Sequence, residues 1–431
     1  MSQTEPFWWD DAGAPTSPEA QALPEEVDVL VIGAGLTGLS AARTLARAGK
    51  SVLALDAKAP GIGGSSCNGG MIGGGHLLSL DELGDKYGQE MALTLIREAQ
   101  LHSTAFAKEL IAEEDISCDL AVNGRFRGLW SRSEHAEAGR ELDRLKKHLP
   151  VDAEMVPPGG QVDHIATDLY TGGIVYPQHG GLNPAKYVAG LLAAAQKHGA
   201  VVQGDTPVQA VSTEGSSSVV ETGRGTVRAG AVLAATNGYT PKMLSYAKRR
   251  VVPVPSFIVA TEPLGEERVR SLIPQGQMIT ESRDRHCYYR PSPDGTRLVF
   301  GGRAAMTGVP DGFARSQLGG LIGEILPELA DVELTHSWRG FAGFTFEFLP
   351  NIGRYDGVWH AIGYSGNGNT MAPYLGHKVA LQILGDPEGE TAFSNTEFPA
   401  RWWHQGYPWF LPFADVLFRM KDVRSRVFRK K

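Results

Sequence analysis

The sequence predicts an α/β protein with a discontinuous Rossmann-like nucleotide-binding lobe and a second, α+β lobe built on a mostly antiparallel sheet. The first observation behind this prediction is a strand–glycine–helix–strand unit over residues 27–56. The second is a series of short β-branched and aromatic runs over 251–338, separated by turns. The third is a late apolar strand at 358–362 that leads into another glycine turn and a helix. Because strand–glycine–helix units occur near both ends, insertions between them must build the second lobe.

The opening unit has the features of a dinucleotide-binding motif. An apolar strand leads into Gly33-x-Gly35-x-x-Gly38, a helix follows, and a second strand ends at Asp56. Gly33 permits the tight turn, Gly35 lets the backbone approach a pyrophosphate, and Gly38 lets the helix pack closely on the strand. Asp56 lies at the distance expected for a carboxylate that accepts hydrogen bonds from a ribose. An acid there disfavours a 2′-phosphate and therefore NADP, so NAD and FAD both stay open at this point.

Composition narrows the class of protein. A chain of 431 residues suits two domains or one two-lobed domain, and 42% hydrophobic with 21% charged residues is typical of a soluble globule. The net charge of −7 argues against a nucleic-acid partner. Cys67, Cys118 and Cys287 show no CxxC spacing, which argues against a disulfide framework or a thiolate metal site. We expect no metal and a reducing, cytoplasmic location.

The two ends of the chain differ in charge. The first 26 residues are acidic and proline-bearing and show no signal-peptide pattern, and no apolar run is long enough to span a membrane. Residues 419–431 contain seven basic residues and one acid, after an aromatic stretch at 402–410. Two interpretations stay open. The segment is either a solvated terminal helix whose aromatic residues pack on the body, or an anchor to an anionic membrane on the cytoplasmic face.

Further glycine motifs indicate a family. They are GSSCNGG at 64–70, GGLNP at 180–184, ATNGY at 235–239, LVFGGR at 298–303, LPNIG at 349–353 and GYSGNG at 363–368. With the opening unit, they cover residues 25–385. In this order they resemble the D-amino-acid-oxidase-like FAD-dependent oxidoreductases, and most of all the branch of gamma-glutamylputrescine oxidoreductase and related amine oxidases. The residue before Asn68 is commonly arginine in that family and is Cys67 here.

The resemblance implies non-covalent FAD and a division of the chain. It implies an FAD-binding domain at 25–85, 165–240 and 340–385, a substrate domain at 86–164 and 241–339, and a C-terminal extension at 386–431. A covalent flavin through Cys67 or Cys287 is the alternative, and we expect buried thiols instead. The residues expected to contact FAD are Gly33, Gly35, Leu36, Thr37, Gly38, Asp56, Ala57, Lys58, Gly64, Ser65, Ser66, Asn68, Gly69, Gly70, Met71, Val208, Thr236, Asn237, Gly238, Gly363, Gly366, Asn367, Gly368, Asn369 and Thr370.

The implied reaction is oxidation of the C–N bond of a small amine or N-methylated amino acid. Hydride transfer to flavin N5 gives an imine, which hydrolyses to an aldehyde or keto product. The amine must be neutral, and neutralising an alkylammonium of pKa near 10.4 at pH 7 requires about 4.6 kcal/mol. A facing carboxylate would oppose this step. Glu347 is therefore either an anchor for the remote end of the substrate or a structural strand residue.

The other catalytic candidates are Tyr289, Arg290, Arg303 and His76. Strand alternation places His286, Tyr288 and Arg290 on one face, and Cys287 and Tyr289 on the other; which face lines the site stays open. Arg290 and Arg303 are candidates to hold a substrate carboxylate, with surface salt bridges as the alternative. His76 follows the second glycine loop and either approaches the flavin or is structural.

The electron acceptor is open as well. The resemblance implies that sarcosine-oxidase relatives activate oxygen with a lysine in the substrate-lobe half of the chain, and this chain has no lysine between Lys248 and Lys378. The acceptor is therefore oxygen, activated by Arg303 or a histidine, or a quinone or protein carrier. A nicotinamide-dependent monooxygenase is a further hypothesis, although no second nucleotide motif supports it. A non-catalytic flavin subunit of a larger complex is the remaining one.

Overall fold

The computed structural model describes residues 3–75, 77–215, 217–283, 286–417 and 420. The helices are α1 (Trp9–Ala12), α2 (Leu36–Arg47), α3 (Leu80–Tyr87), α4 (Gln89–Arg97), α5 (Ser103–Glu113), α6 (Arg132–His148), α7 (Pro184–Lys197), α8 (Ser245–Lys248), α9 (Glu266–Leu272), α10 (Asp311–Ile325) and α11 (Gly368–Leu384). The strands are β1 (Glu26–Ile32), β2 (Val52–Leu55), β3 (Met71–Ile72), β4 (Arg125–Gly128), β5 (Glu154–Val156), β6 (Gly173–Tyr176), β7 (Gly180–Gly181), β8 (Val201–Gln203), β9 (Val208–Glu214), β10 (Ser217–Thr222), β11 (Gly225–Ala234), β12 (Val251–Thr261), β13 (Met278–Glu281), β14 (Cys287–Pro291), β15 (Leu298–Gly302), β16 (Leu334–Thr345), β17 (Asn351–Tyr355) and β18 (Val358–Ile362).

The first sheet forms the nucleotide-binding lobe. Its strands follow the order β17-β18-β11-β1-β2-β8, and β9 and β10 extend from β11 as an antiparallel pair. The pairs β18–β11, β11–β1, β1–β2 and β2–β8 are parallel, with Val29 opposite both Ala231 and Val52. Parallel strands covered on both faces are nearly continuous apolar runs, and β2 is buried at every position. The predicted Rossmann-like lobe is therefore confirmed, and its strands come from distant parts of the chain.

Helices α2 and α11 pack closely against one another on this sheet. A Cβ atom at Gly376 of α11 would lie 2.3 Å from the carbonyl oxygen of Thr37 in α2, so only glycine permits this approach. The Thr37 hydroxyl also hydrogen-bonds to the Tyr364 hydroxyl at 2.7 Å, just before α11. The contact fixes the starts of both helices relative to each other, and both starts contribute to the site described below.

The second sheet has the order β16-β12-β15-β14-β13-β4-β6-β5. All its pairs are antiparallel except β13 with β4. One face packs on α10 in a core that includes Phe300, Leu318 and Ile322. The predicted α+β lobe with a mostly antiparallel sheet is confirmed, and its other face is free to line a cavity.

Two sets of packing contacts bear on the division into domains, which stays a prediction. Helices α4 and α5, expected in the substrate domain, pack through Leu95 and Ala107 in a core cluster that includes Leu39 of α2. Strand β6, expected in the FAD-binding domain, pairs with β4 and β5 in the second sheet. Each placement is explained by the element that it packs against: α5 packs on the buried α11, and β6 pairs with β4 in the second sheet.

Both ends of the described chain return to the body. Near the N-terminus, Trp8 is fully buried in a cluster with Ile258 and Trp338. Near the C-terminus, Trp403 and Phe410 pack on Phe346, which follows β16. Within the described ranges, no helix is both long and apolar enough to cross a membrane. The basic segment 419–431, apart from residue 420, lies outside the described residues.

Candidate functional site

A cavity of about 1520 Å³ is lined by both lobes. Its nucleotide end is formed by the carboxyl ends of β1 and β2 and the start of α2, with the loop at 61–75 and the start of α11 alongside. Its substrate end is formed by the free face of the second sheet, including Arg127, Thr280 and Tyr288. In open parallel sheets, ligands bind outside the carboxyl ends of the strands, so the position of the nucleotide end fits a bound dinucleotide.

The glycines of the first motif are required by close approaches of backbone. Gly33 has a φ of 102°, which favours glycine, and a Cβ there would lie 2.9 Å from the Ala235 carbonyl oxygen. At Gly38 a Cβ would lie 1.9 Å from the Gly33 carbonyl oxygen. At Gly35 it would lie 2.7 Å from the Ser65 hydroxyl oxygen. Each contact holds the start of α2 against β1 and the second glycine loop.

Polar contacts hold the same region together. The Leu36 N–H, in the first turn of α2, donates to the Ser65 hydroxyl at 3.0 Å. The Asp56 carboxylate accepts from the Ala34 N–H at 2.9 Å and from the Lys58 N–H at 3.1 Å. Burial raises the pKa of Asp56, and those backbone hydrogen bonds only partly oppose the rise. Asp56 lines the cavity at the end of β2, as its proposed contact with a ribose requires.

Asn68 organises the second glycine loop. Its amide nitrogen donates to the carbonyls of Gly64 and Ser65, both at 3.0 Å, and its oxygen accepts from the Gly70 N–H at 2.8 Å. The same oxygen accepts from the Asn369 side chain at 2.8 Å, in the first turn of α11. Asn68 therefore joins the loop to the helix start on the other side of the cavity.

A second set of donors holds this loop from behind. The indole N–H of Trp338 donates to the Cys67 carbonyl at 3.0 Å, and that of Trp8 donates to the Asn68 carbonyl at 2.8 Å. The Arg290 guanidinium donates to the Gly70 carbonyl at 2.8 Å. These bonds hold the carbonyls of the loop towards the protein interior. We call the three donors the loop clamp.

The start of α11 offers uncapped N–H groups. Gly366 has a φ of 102°, and no side chain caps the first turn that follows Asn367. Residues 366–369 line the cavity, and the Asn369 side-chain oxygen is buried without a hydrogen-bond partner among the described residues. Free N–H groups and the helix dipole favour negative charge at this point. A reduced flavin carries negative charge around N1 and its C2 carbonyl, so the helix start fits the predicted cofactor.

Most residues predicted to contact the cofactor line the cavity. The exceptions are Gly38, Ser66, Gly70, Gly238, Gly363 and Thr370. These residues lie behind the lining, where Ser66 and Thr370 are fully buried and a Cβ at Gly238 would lie 3.2 Å from the Gly343 nitrogen. Their role in this arrangement is to support the lining residues.

The FAD-dependent oxidoreductase family DAO matches residues 28–382. The chain belongs to this family. A probable oxidoreductase OrdL of Rhizobium meliloti (strain 1021) is 33% identical over 401 residues, which cover 91% of this chain and 92% of that protein. The gamma-glutamylputrescine oxidoreductase of Escherichia coli (strain K12) is 28% identical over 370 residues, which cover 85% of this chain and 86% of that protein.

Solved structures agree on the fold. The glycine oxidase from Geobacillus kaustophilus superposes with a TM-score of 0.71 at 22% identity, covering 88% of this chain and 99% of that chain. L-proline dehydrogenase from P. horikoshii gives a TM-score of 0.68 at 21% identity, covering 89% of this chain and 98% of that chain. Together with the family match, this confirms the predicted fold, an FAD-dependent oxidoreductase and FAD as its cofactor.

At the substrate end, the structure shows which face of β14 lines the cavity. Tyr288 and His286 line it, and Tyr288 donates to or accepts from the Ser256 hydroxyl at 2.8 Å. Tyr289, a predicted catalytic residue, instead points into the core of the second lobe. It is fully buried, stacks on Phe300 and hydrogen-bonds to the Tyr170 hydroxyl at 3.0 Å. Strand alternation put Tyr289 on the opposite face from Tyr288, and the core face is where it lies.

The other predicted catalytic residues are dispersed. Arg290 belongs to the loop clamp and also donates to the Leu182 carbonyl at 2.9 Å, so its guanidinium is used within the protein rather than in the cavity. Arg303 does line the cavity and lies over the Phe344 ring at 5.6 Å. Glu347 is outside the lining and forms ion pairs with Lys86 and with Arg401. His76 lies outside the described residues.

The structure adds two residues that the sequence analysis did not select. Arg125 and Arg127 alternate along β4 and line the substrate end beside Leu129. The signal was present in the sequence Arg-Phe-Arg, because two charged residues at alternate positions around a buried aromatic residue are unusual in a central strand. Phe126 between them is fully buried. That pattern identifies the face of the strand but not the cavity that it meets.

Cys67 and Cys287 are both buried, as expected for structural thiols. Burial raises the pKa of the Cys67 thiol to about 11, and the thiol donates to the Ile62 carbonyl at 3.3 Å. Cys287 lies in the core of the second lobe, on the face of β14 away from the cavity. Cys67 lines the cavity and Cys287 lies outside its lining, and non-covalent attachment of the flavin stays a prediction.

Proposed function

We propose that this protein oxidises the C–N bond of a small amine or N-methylated amino acid at the substrate end of the cavity. The observation that carries the proposal is the set of side chains at this end of the cavity, where His286, Tyr288 and Arg303 all line the same space. Burial and then the positive charges of Arg303, Arg127 and Arg125 lower the pKa of His286 to about 4, although its hydrogen bond to the Glu281 carbonyl opposes this. We call these three arginines the arginine wall.

The arginine wall acts on a bound amine as it acts on His286. An alkylammonium beside the wall is disfavoured by burial and by like charges, so its pKa falls and the neutral amine is populated. Of the carboxylates that line the cavity, Glu281 is paired with Arg283 at 2.6 Å and Glu134 accepts a hydrogen bond from the Ser282 hydroxyl at 2.5 Å. The site thus favours the neutral amine that the oxidation requires.

His286 supplies an acceptor for that amine. Its Nδ1 lies 2.9 Å from the Glu281 carbonyl oxygen, which only accepts, so Nδ1 carries the proton and Nε2 keeps its lone pair. With a pKa of about 4 the ring stays neutral at pH 7. Nε2 then accepts a hydrogen bond from the substrate amine without retaining a proton, and Tyr288 and Arg303 line the same space.

The flavin, when bound, supplies the hydride acceptor, and the imine product hydrolyses to an aldehyde or keto compound. The names of two relatives, gamma-glutamylputrescine oxidoreductase and glycine oxidase, support an amine or amino acid as substrate. The test is anaerobic mixing of the purified holoenzyme with a panel of amines and N-methyl amino acids while the flavin absorbance is followed. Bleaching by at least one compound is expected. Bleaching by none would contradict the proposal and favour a non-catalytic flavin subunit, and bleaching by NADH or NADPH would favour a monooxygenase.

A second candidate concerns the electron acceptor, which we propose to be a quinone or protein carrier reached at a membrane surface on the cytoplasmic side. The supporting observation is an exposed aromatic surface beside the cavity. Trp402 is 84% exposed, Tyr407 is 76% exposed, and the inner residues of the same segment pack on Phe346. The neighbouring Phe344 and Phe348 line the cavity. The basic segment that follows in the sequence adds attraction to anionic lipid.

Two measurements test this candidate. Rapid mixing of the reduced enzyme with oxygen should give slow reoxidation, and a soluble quinone should give fast reoxidation. The holoenzyme should also sediment with vesicles containing phosphatidylserine, and Trp402→Ser should weaken this. Fast reoxidation by oxygen with no vesicle binding would favour an oxidase that acts free of membranes.

A further inference from the structure

The helix pair that follows β3 contains a π-helical turn. Helices α4 and α5 are joined without a break by Glu98–His102, where the hydrogen bonds span five residues instead of four. The Ser103 N–H donates to the Glu98 carbonyl, and the Ser103 hydroxyl donates to the Ala99 carbonyl at 2.7 Å. Such turns are rare, and they occur frequently at functional sites. The role of this turn therefore depends on the side chains that it directs.

Glu98 fastens one side of the turn to the body of the protein. Its buried carboxylate accepts hydrogen bonds from the Tyr374 hydroxyl at 3.0 Å, from the Thr391 hydroxyl and from the Ala392 N–H at 2.8 Å. Tyr374 belongs to α11, the helix whose start lines the cavity. Hydrogen bonds to a carboxylate are stronger than those between neutral groups. These contacts therefore fix both the position of the turn and its rotation about the helix axis.

Gln100 lies on the other side of the turn and lines the cavity. Residues two apart on a helix point to nearly opposite sides, so the hold on Glu98 directs Gln100 into the cavity. Ile96, which also lines the cavity, packs in the same core cluster as Leu375 of α11. Gln100 is therefore carried by the FAD-binding side of the cavity. Within the described part of the chain its carboxamide makes no hydrogen bond, so its donor and acceptor are both free for a ligand.

Two glycines connect this turn to the start of α11. A Cβ at Gly74 would lie 2.5 Å from the Gln100 Cα, so the backbones of the glycine loop and the turn are in direct contact. The carbonyl of the next residue, Gly75, accepts a hydrogen bond from the Asn367 side chain at 3.1 Å. All four residues line the cavity. Gln100 therefore lies beside the helix start that favours negative charge on the reduced flavin.

We propose that the Gln100 carboxamide hydrogen-bonds to the pyrimidine edge of the flavin and stabilises its reduced form. That edge carries two carbonyl oxygens and one N–H, and a carboxamide offers both a donor and an acceptor to it. Reduction makes the C2 carbonyl oxygen more negative, and a hydrogen bond to a charged acceptor is stronger than one to a neutral acceptor. A donor at Gln100 therefore favours reduced over oxidised flavin. The proposal concerns the cofactor and does not depend on the identity of the substrate.

The experiment measures the two-electron midpoint potential of the flavin in the FAD-loaded enzyme, with no amine present. Gln100→Leu keeps a side chain of similar size and removes the donor and the acceptor. Loss of one hydrogen bond that strengthens on reduction should lower the preference for reduced flavin about tenfold, which corresponds to a fall in potential of about 30 mV. Gln100→Glu places a negative charge beside the reduced flavin and should lower the potential further.

Gln89→Leu is the matched control. Gln89 begins α4 in the same helix pair, is exposed and lies outside the cavity lining, so its replacement should leave the potential unchanged. A second readout is the affinity for the cofactor. In Gln100→Leu the dissociation constant of reduced FAD should rise by a larger factor than that of oxidised FAD, because the ratio of the two factors sets the shift in potential. If Gln100→Leu is purified without FAD, Gln100→Asn, which shortens the side chain by one methylene, carries the same test.

Equal potentials in Gln100→Leu and Gln89→Leu would overturn the proposal, and so would a higher potential in Gln100→Glu. An unchanged potential together with a raised KM for an active amine would place Gln100 against the substrate, which also overturns it. Because the potential is measured without turnover, its outcome is independent of the proposed reaction. A lowered potential in an enzyme whose flavin no amine bleaches would support the role of Gln100 and contradict the proposed function.

Discussion

The two ends of the cavity are formed by different chemical groups: main-chain groups at one end and side chains at the other. At the nucleotide end, main-chain groups form much of the surface: glycines at 33, 35, 366 and 368 and the first turns of α2 and α11. At the substrate end, the surface is formed by side chains such as Arg127, Tyr288 and His286, which project from neighbouring strands. At Gly33 and Gly35 a side chain has no room, and at Gly366 the positive φ favours glycine. The substrate end depends on which side chain stands at each position.

Because of this difference, the two ends should tolerate substitutions differently. A side chain added at Gly33, Gly35 or Gly38 would lie within 3 Å of a neighbouring atom, so it should affect cofactor binding and folding together. A change at the substrate end replaces one group in an open space, so the fold and the cofactor are kept while the ligand changes. Fixed backbone for FAD and variable side chains for the substrate also fit a family whose members act on different amines and amino acids.

The largest effect is expected from Gly38→Ala. The added Cβ would lie 1.9 Å from the Gly33 carbonyl oxygen. Helix α2 then has to move away from β1, which also moves the start of the helix away from the cofactor. We expect a loss of several kcal/mol of stability, as for overpacked cores, and purified protein without FAD. The measurement is the ratio of flavin to protein absorbance together with thermal unfolding.

Gly320→Ala is the matched control for this change. Gly320 lies in α10, where a Cβ meets no atom within 4 Å, and the same substitution should raise stability slightly. Full FAD content in Gly38→Ala would show that the backbone of the nucleotide end is adaptable, and the contrast between the two ends would be lost.

Acid should weaken both lobes by the same mechanism. Burial is the first cause that lowers the pKa of His286, and of His360 in β18, to about 4, against 6.5 for an ordinary histidine. The folded state then binds fewer protons than the unfolded chain. The stability that these neutral rings contribute is present above pH 6.5 and is lost as the pH falls from 6.5 towards 4. We expect a loss on the order of 1–2 kcal/mol per histidine between pH 6.5 and 5.

Denaturant unfolding of the holoenzyme at a series of pH values measures this loss. His286→Asn and His360→Asn should each reduce the dependence on pH, the first through the substrate end and the second through the nucleotide-binding lobe. A dependence that neither variant reduces would mean that other groups govern acid stability, and that the arginine wall does not keep His286 neutral.

A smaller effect is expected from the loop clamp. Trp8→Phe keeps an aromatic side chain but removes the donor to the Asn68 carbonyl, which frees that peptide of the glycine loop to turn. One neutral hydrogen bond contributes about 1 kcal/mol, so the dissociation constant of FAD should rise about fivefold. Trp9→Phe is the control, because the Trp9 indole N–H is buried without a partner among the described residues. Equal FAD affinity in the two variants would restrict Trp8 to a packing role.

The nucleotide end of the cavity could be predicted from the sequence to a greater extent than the substrate end. Gly33, Gly35 and Asp56 were found because a backbone turn beside a phosphate requires glycine at fixed spacing, and that requirement is local in sequence. Tyr289 was chosen over Tyr288 because alternation gives two faces and only the rest of the sheet shows which one meets the cavity. Arg127 and Tyr288 are both in register with Thr280 but lie more than 100 positions apart in sequence, so no local pattern signals that they share a surface. The loop clamp was missed for the same reason, since Trp8 precedes the first recognised motif.

The smallest effect is expected from Glu347→Gln, a predicted catalytic residue that lies outside the cavity lining. Its carboxylate pairs with Lys86 and Arg401, and ion pairs near the surface contribute little, so the free energy of unfolding should fall by about 0.5 kcal/mol. Substrate affinity and the pH profile of flavin reduction should stay unchanged. Glu397→Gln, which removes another partner of Lys86, is the control and should behave alike. A shifted pH profile in Glu347→Gln alone would place this carboxylate at the remote end of the substrate, and the substrate end would then extend beyond the residues that line the cavity.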